Sequence, residues 1–359
     1  MTDETPRKRP ARARKAARRP GRVDHEVKPD KPDVSRAQLH DQRDGSAPAV
    51  AVPAEAWTEE LASAAASNGH RAPLVADRPG DPWDDRVAKG LAFLRRRLVG
   101  DYEVDEFGFD ADLTDSVFHP VLRLLYRDWF RTEVSGVANL PEEGPALVVG
   151  NHSGTIALDA LMLGTAVHEE TPRQRHLRLL GADLVFRMPI VSELARKSGS
   201  TVACNPDAER LMRTGQLVGV FPEGFKGVGK HYAQRYKLQR FGRGGFVSAA
   251  LRTGTPIVPA AIVGAEEIYP MLADIKPLAR LLKLPYFPLT PTFPWLGPLG
   301  MIPLPSKWLI EFCEPIPTAH LTDQADDPLV VFNLADQVRE TIQETLHTLL
   351  ERRPDPFGR

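Results

Sequence analysis

The sequence predicts an α/β fold: a sheet flanked by helices on both faces, preceded by N-terminal helices and a disordered basic N-terminal tail. Two observations carry this. From residue 133 onward, short apolar strand-like runs alternate with helix-like stretches, the rhythm of a sheet whose crossovers are helical. Before that, roughly the first fifty residues are too polar and too broken by proline to join a core. The chain of 359 residues thus divides into a tail over 1–52, a helical lead-in with a linker over 53–132, and an α/β domain over 133–353.

Within the lead-in, 54–66 reads as a short helix and 68–82, with its prolines and glycines, as a linker. Residues 85–99 are a better helix: Val87, Leu91, Leu94 and Leu98 recur at helical spacing with Arg86, Lys89, Arg95, Arg96 and Arg97 beside them. A basic amphipathic helix suits a membrane interface. The alternative packs its apolar stripe on the main domain and leaves a solvated basic face. Residues 120–131 form another helix, opened by Pro120 where proline is tolerated, with Val121, Leu124, Leu125 and Trp129 on one face.

The domain then opens with a buried strand at 146–149, a turn of small polar residues at 151–155 and a helix at 156–167. Strands follow at 177–180, 201–204, 217–221 and 257–263, with helices near 190–197, 206–214 and 246–252 between them. An edge or late strand is expected at 308–313, and a last helix at 329–350 with Val331, Leu334, Val338, Ile342, Thr345, Leu346 and Leu349 on one side. Residues 284–305 carry no charge and hold seven prolines, which forbids a spanning helix. That segment reads either as a hydrophobic rim that meets lipid or an acyl chain, or as a buried cover of the sheet.

Charge and cysteine usage narrow the setting. The formal net charge of −1 hides a basic arm made of Arg7, Lys8, Arg9, Arg12, Arg14, Lys15, Arg18, Arg19 and Arg22, which favours a polyanion, either nucleic acid or an anionic lipid surface. Cys204 and Cys313 each sit in an apolar strand-like run, so neither a disulfide framework nor a thiolate metal site is expected, and a reducing cytoplasm fits. The N-terminus lacks the apolar stretch of a signal peptide, and no long proline-free apolar run could span a bilayer. Contact with membrane would therefore be peripheral.

Chemistry concentrates where the first central strand ends. Gly150-Asn151-His152 delivers an imidazole to a sheet edge, and an imidazole titrates near neutrality and so suits a general base. Asp159 is the acid that could hold its other nitrogen. On one continuous helix residues seven apart stand about 10 Å apart along the axis, so the pair can form only if Ser153-Gly154-Thr155 folds back, with Thr155 as an N-cap. Otherwise Asp159 merely complements the helix dipole.

A second loop, Phe221-Pro222-Glu223-Gly224, follows the strand at 217–221 and shares the edge of His152 if the two strands are parallel. Lys226, Lys230 and His231 behind it could hold a polar or phosphorylated substrate end. Gly224 to Lys230 matches the spacing of a phosphate-binding loop, but His231 stands where Ser or Thr should hold magnesium. Phe241-Gly242-Arg243-Gly244-Gly245 opens a helix and offers an anion seat through Arg243 and backbone N–H groups, or simply close packing. Ser153 beside His152 misses the nucleophile elbow of serine hydrolases.

Together, Asn151-His152-x6-Asp159, Phe221-Pro222-Glu223-Gly224 and Ile257-Val258-Pro259-Ala260 resemble the ordered motifs of the glycerolipid acyltransferases, the superfamily of lysophosphatidic acid acyltransferases, over about 134–316. The resemblance implies an α/β O-acyltransferase without a cofactor. In it His152 deprotonates an acceptor hydroxyl, Asp159 orients His152, and the hydroxyl attacks the thioester of acyl-CoA or acyl carrier protein. It also implies substrate binding by Asn151, Ser153, Arg187, Asn205, Glu223, Gly224, Lys226 and Arg243.

Two departures from the family pattern stand out. The histidine-to-aspartate interval is usually four residues and here is six, and Asn205 stands where phosphate-recognising members usually place an arginine, with Arg187, Arg196 and Lys197 as possible substitutes. The expected acceptor is a lysophospholipid or other glycerolipid. The alternatives are a neutral acceptor such as a diacylglycerol or long-chain alcohol, or a non-catalytic membrane-associated interaction protein. The expected setting is cytoplasmic, peripheral on the inner membrane face, with an anionic lipid surface as partner rather than nucleic acid.

Overall fold

The computed structural model describes residues 82–100, 102–242, 244–353 and 355–358. The tail, the helix at 54–66, most of the linker and Arg243 lie outside the described residues. The first described element, α1 (Pro82–Val99), leads to a helical run over 111–129. The sheet strands are β1 (Glu133–Ser135), β2 (Ala146–Gly150), β3 (Leu177–Gly181), β4 (Thr201–Val202), β5 (Leu217–Val220), β6 (Ile257–Val263) and, after a small hairpin of β7 (Ala273–Asp274) with β8 (Pro288–Leu289), β9 (Leu309–Phe312). Among the described residues the main helices of this part are α2 (Leu158–Glu170), α3 (Asp183–Arg187), α4 (Val191–Lys197), α5 (Asn205–Arg213), α6 (Phe225–Val228), α7 (Gly245–Thr253), α8 (Lys276–Leu281) and α9 (Pro328–Arg352).

The main sheet has seven strands in the order β1-β9-β6-β2-β5-β3-β4. All neighbours are parallel except β6 and β9, which run antiparallel. Strand β9 is the last in sequence but not an edge, because β1 covers it. Buried on both faces, β2 and β6 read as continuous apolar runs, and the two-residue period of a strand sends alternate side chains to opposite cores. Leu147 and Val149 join α5, α7 and α9 on one face, while Ala146 and Val148 join α2 on the other. The chain passes through α2 to one side of β2 and returns through α7 to the other side, so β2 marks the point where strand order reverses. In open α/β sheets such a point leaves a crevice beyond the carboxyl ends of the strands.

One lead-in helix differs from the sequence expectation, and the other excludes one of its two readings. In the second half of the run over 111–129 the buried or half-buried apolar residues are Leu122, Leu125, Tyr126 and Phe130 at its end, whereas Val121, Leu124 and Trp129 are exposed. The cause is winding: Thr114–Phe118 and Leu124–Trp129 are π-helical, so a face chosen on a 3.6-residue period slips. On α1, Leu91, Leu94 and Leu98 face outward, and it is basic residues that dock: Arg97 donates to Asp110 at 2.5 and 2.6 Å, and Arg96 to Asp112 at 2.5 Å. The apolar stripe of α1 is therefore not packed on the domain.

A buried polar knot lies just beyond the carboxyl end of β6. Arg353, just past α9, donates to Glu267 at 3.0 Å and to the Tyr236 hydroxyl at 3.0 Å, and that hydroxyl donates to Glu267 at 2.5 Å. Burial, with the Glu267 charge close by, pushes the Tyr236 phenol well up.

Candidate active site

The carboxyl ends of β2, β5, β3 and β4 bring most of the sequence-predicted site residues to one sheet edge. Pairing of Val149 with Val220 in parallel register carries His152 and Glu223 side by side on successive loops. Asn205 opens α5 beyond β4 and Arg187 ends α3 beyond β3, so along the hydrogen-bonding direction they stand roughly two to three strand spacings, about 10–15 Å, from the strand of His152.

The loop after β2 does fold back. Gly154 and Thr155 both take left-handed backbone, φ +93° and +63°, and α2 begins only at Leu158, so seven residues of sequence close into a contact: His152 Nδ1 lies 2.7 Å from Asp159 Oδ2. The cap expected from Thr155 is absent, since Ala157 occupies the cap position and offers no side-chain bond. Thr155 is instead tied outward at three atoms: its N–H donates to Val228 at 3.1 Å, its hydroxyl donates to Tyr269 at 3.0 Å, and its carbonyl accepts from the Tyr286 hydroxyl. Burial and the Asp159 charge push the Tyr286 phenol up to about 12, which keeps it a donor.

Asp159 is fully buried and its carboxylate is saturated. Besides the imidazole, Oδ2 accepts from Ser153 N–H at 2.7 Å and Oδ1 from Ala160 N–H at 2.8 Å. With Asp159 accepting from Nδ1–H, the imidazole lone pair lies on Nε2, which makes no hydrogen bond among the described residues. The His152 ring rests near that of Phe221, centroids 4.6 Å apart, and a side chain at Gly150 would collide with that Phe221 ring. Gly227 is needed for close approach, because a Cβ there would lie 2.5 Å from the His152 carbonyl oxygen.

Three of the expected substrate contacts are buried inside the protein. Asn151 pairs with a backbone: its amide donates to the Ile262 carbonyl at 2.9 Å and accepts from Ile262 N–H at 2.7 Å. Glu223 is buried and accepts from His152 N–H at 2.9 Å and from Gln239 N–H at 2.6 Å. Ser153 is buried, its hydroxyl without a hydrogen-bond partner. Lys230, read with Lys226 as a possible anion holder, is buried 2.9 Å from Glu266 and 3.7 Å from Glu223, so its charge is spent internally. That also disposes of a phosphate-binding loop over 224–230.

The other candidates remain toward solvent. Lys226 and Arg187 are exposed, Asn205 is half-buried against the Gly244-Gly245 turn, and Gly224 takes φ +54° with open space where a side chain would stand. Arg196 lies over the Phe186 ring and Lys197 pairs with Glu193 at 2.7 Å. Sequence reasoning missed Tyr286, Gln239 and the packing role of Phe221. The Glu223 backbone bonds had no local signal, since their partners are 71 and 16 residues away.

A family model described as Acyltransferase matches residues 131–263, which begin just before β1 and end with β6 and so enclose both loops of the site. A Mycobacterium tuberculosis relative, "Uncharacterized protein Rv0502", is 60% identical over 272 residues, 76% of each chain. The "1-acyl-sn-glycerol-3-phosphate acyltransferase" of Borreliella burgdorferi is 28% identical over 165 residues, 42% of this chain and 62% of that one. The chain belongs to the glycerolipid acyltransferase superfamily. This acyltransferase is also 24% identical over 261 residues to "Phytyl ester synthase 2, chloroplastic" of Arabidopsis thaliana, a match covering 63% of this chain and 35% of that one.

Proposed function

We propose that this acyltransferase moves a fatty acyl group from the thioester of acyl-CoA or acyl carrier protein to a hydroxyl of a lysophospholipid or other glycerolipid, with His152 as general base. One observation carries the reading: the His152–Asp159 contact at 2.7 Å, which leaves Nε2 free at the strand-order reversal. Nε2 takes the acceptor's hydroxyl proton as its oxygen bonds the thioester carbonyl carbon. The C–S bond then breaks, and the leaving thiolate takes the proton back from the imidazolium. Asp159 holds the tautomer and stabilises the transient charge.

In this reading Asn151 and Glu223 are positioning residues. The first fixes the loop to β6 and the second fixes the His152 backbone. Exposed Arg187 and Lys226, together with Asn205 and Gly224, are the groups left to meet the acceptor. Arg243 keeps its place as an anion seat on sequence grounds alone.

Surfaces that water does not favour support a peripheral membrane position. Leu91, Leu94 and Leu98 on α1, and Trp295, Leu296, Leu299, Met301 and Ile302 in the proline-rich segment, are exposed. No helix among the described residues is long and apolar enough to cross a membrane. The rim reading of the proline-rich segment accounts for these side chains better than the buried cover. With the basic arm, they favour the anionic inner face of the membrane.

A second reading for the acceptor has specific support. Asn205 offers only neutral donors where a guanidinium would fork onto phosphate, and one relative is named for a phytyl ester. A neutral alcohol or diacylglycerol would then compete. Incubating the protein with radiolabelled acyl-CoA and a panel of lysophospholipid, monoacylglycerol, diacylglycerol and long-chain alcohol acceptors tests both readings. Labelled product with none of them, from folded protein, rejects the assignment.

A further inference from the structure

At the opposite end of α2 from Asp159, four side chains that the acyl-transfer chemistry does not use converge. Asp115 and His119 come from the lead-in run, His168 from the last turn of α2, and His176 from just before β3. One donor atom of each lies within 4.8 Å of the others. Asp115 Oδ1 is 2.7 Å from His176 Nε2 and 3.3 Å from His168 Nε2, and the His119 and His168 rings stack at 3.7 Å.

We propose that this cluster is a structural site for a divalent transition metal of the zinc class, with three imidazoles and one carboxylate as ligands. The donor set is the first reason. Nitrogen and carboxylate ligands in a closed group of four suit tetrahedral Zn²⁺, whose bonds of about 2.0–2.2 Å put donors roughly 3.3 Å apart. Of the two closest donor pairs, one matches that spacing at 3.3 Å and the other is tighter at 2.7 Å, and all four donors lie within 4.8 Å.

Unmet hydrogen bonding is the second reason. His119 and His168 are buried, and the Nδ1 of each lacks a hydrogen-bond partner. A buried polar atom left unpaired costs about 1–3 kcal/mol, so two in adjacent stacked rings call for an explanation. A metal bound at His119 would give that ring a partner, while His168 turns Nε2 to Asp115 and Nδ1 toward Glu169. The surroundings are also built. Glu169 lies 3.7 Å from His168 Nδ1, where a carboxylate commonly orients a ligating imidazole, and Arg123 and Arg127 fix it.

Local backbone supports the assignment as well. Asp115 lies in the π-helical turn Thr114–Phe118 and His119 directly follows it, which sets both on one face of the run. His168 is nine residues along α2 from Asp159, about 14 Å along the axis, too far to act on a bound acyl group. The metal would instead join the lead-in, the end of α2 and the start of β3.

Tag-free full-length protein stripped by chelator should take up one equivalent of Co²⁺ with the visible absorption of a four-coordinate ion, and Zn²⁺ should displace it. Zn²⁺ should also raise the melting temperature of the wild type. His119→Gln and His168→Gln, made separately, should each weaken Co²⁺ binding at least about tenfold. Absence of stoichiometric Co²⁺ uptake by the wild type overturns the site without reference to any variant. So does uptake that survives both substitutions, or that is lost in His152→Gln, which would place the ion at the catalytic loop.

Discussion

Glu223 Oε1 accepts the backbone N–H of His152 at 2.9 Å, so a carboxylate at the end of β5 fixes the imidazole at the end of β2 without touching its ring. The second oxygen accepts from Gln239 N–H at 2.6 Å, which leaves no free edge on this acid. Its expected part is in placing His152, and that part can be separated from chemistry.

Glu223→Gln turns one acceptor oxygen into an NH₂ donor facing either His152 N–H or Gln239 N–H. An unmatched buried donor costs about 1–3 kcal/mol, so denaturant unfolding should show a loss in that range. Turnover should fall about 10- to 100-fold as the imidazole loses its placement. Unchanged kcat and unchanged stability together would refute the positioning role.

His152→Ala should lower kcat at least about 100-fold with a small change in melting temperature, since a positioned base contributes roughly 10²–10⁴. Asp159→Asn should cost less in rate, because the imidazole remains. It should cost more in stability, because Asp159 also accepts from the Ser153 and Ala160 amides. A near-normal rate in folded His152→Ala would remove the mechanism.

Vesicle binding is the third expectation. The protein should sediment with anionic vesicles at low salt and be partly released at high salt, because screening shortens the reach of the basic arm. Replacing Leu91, Leu94 and Leu98 together by Gln should weaken the salt-resistant fraction and spare the folded domain, since all three are exposed. Equal binding by this variant at high salt would show that α1 does not enter the interface.

Acceptor choice is measured by competition between lysophosphatidic acid and a monoacylglycerol at equal accessible concentration. With Asn205 in place, discrimination should be modest, and Asn205→Arg should shift it toward the phosphorylated lipid, because a charged fork bonds phosphate about twice as strongly as a neutral amide. A strong wild-type preference for phosphate, lost only on removing Lys226 or Arg187, would locate the phosphate seat elsewhere.

Arg353→Met should destabilise the fold by about 3–5 kcal/mol, because it leaves Glu267 buried without its counter-charge. Chemical denaturation gives the value, and a change under about 1 kcal/mol would show that the Tyr236 hydroxyl suffices.

Legibility in the sequence followed the range of the interaction. The strands β2, β5 and β6 are continuous apolar runs, and β6 was readable to its ends. That His152 and Asp159 could meet was readable as a condition on three intervening residues, because strand, turn and helix are contiguous. The buried face of the 111–129 run was not, since π-helical winding leaves no mark in a pattern read at 3.6 residues. Tyr286 lay in a segment where prolines erase periodicity. The histidine cluster draws on three separate segments and has no motif at all.

Thr155 gives the loop between His152 and Asp159 an unusual dependence. A threonine at φ +63° is held against its own backbone preference, and the three bonds that hold it come from Val228, Tyr269 and Tyr286, all on later parts of the chain. The lengthened interval between His152 and Asp159 is therefore not slack at Thr155. The spacing between imidazole and carboxylate is thus set by contacts with residues 73 to 131 positions further along the chain, and not by the loop alone.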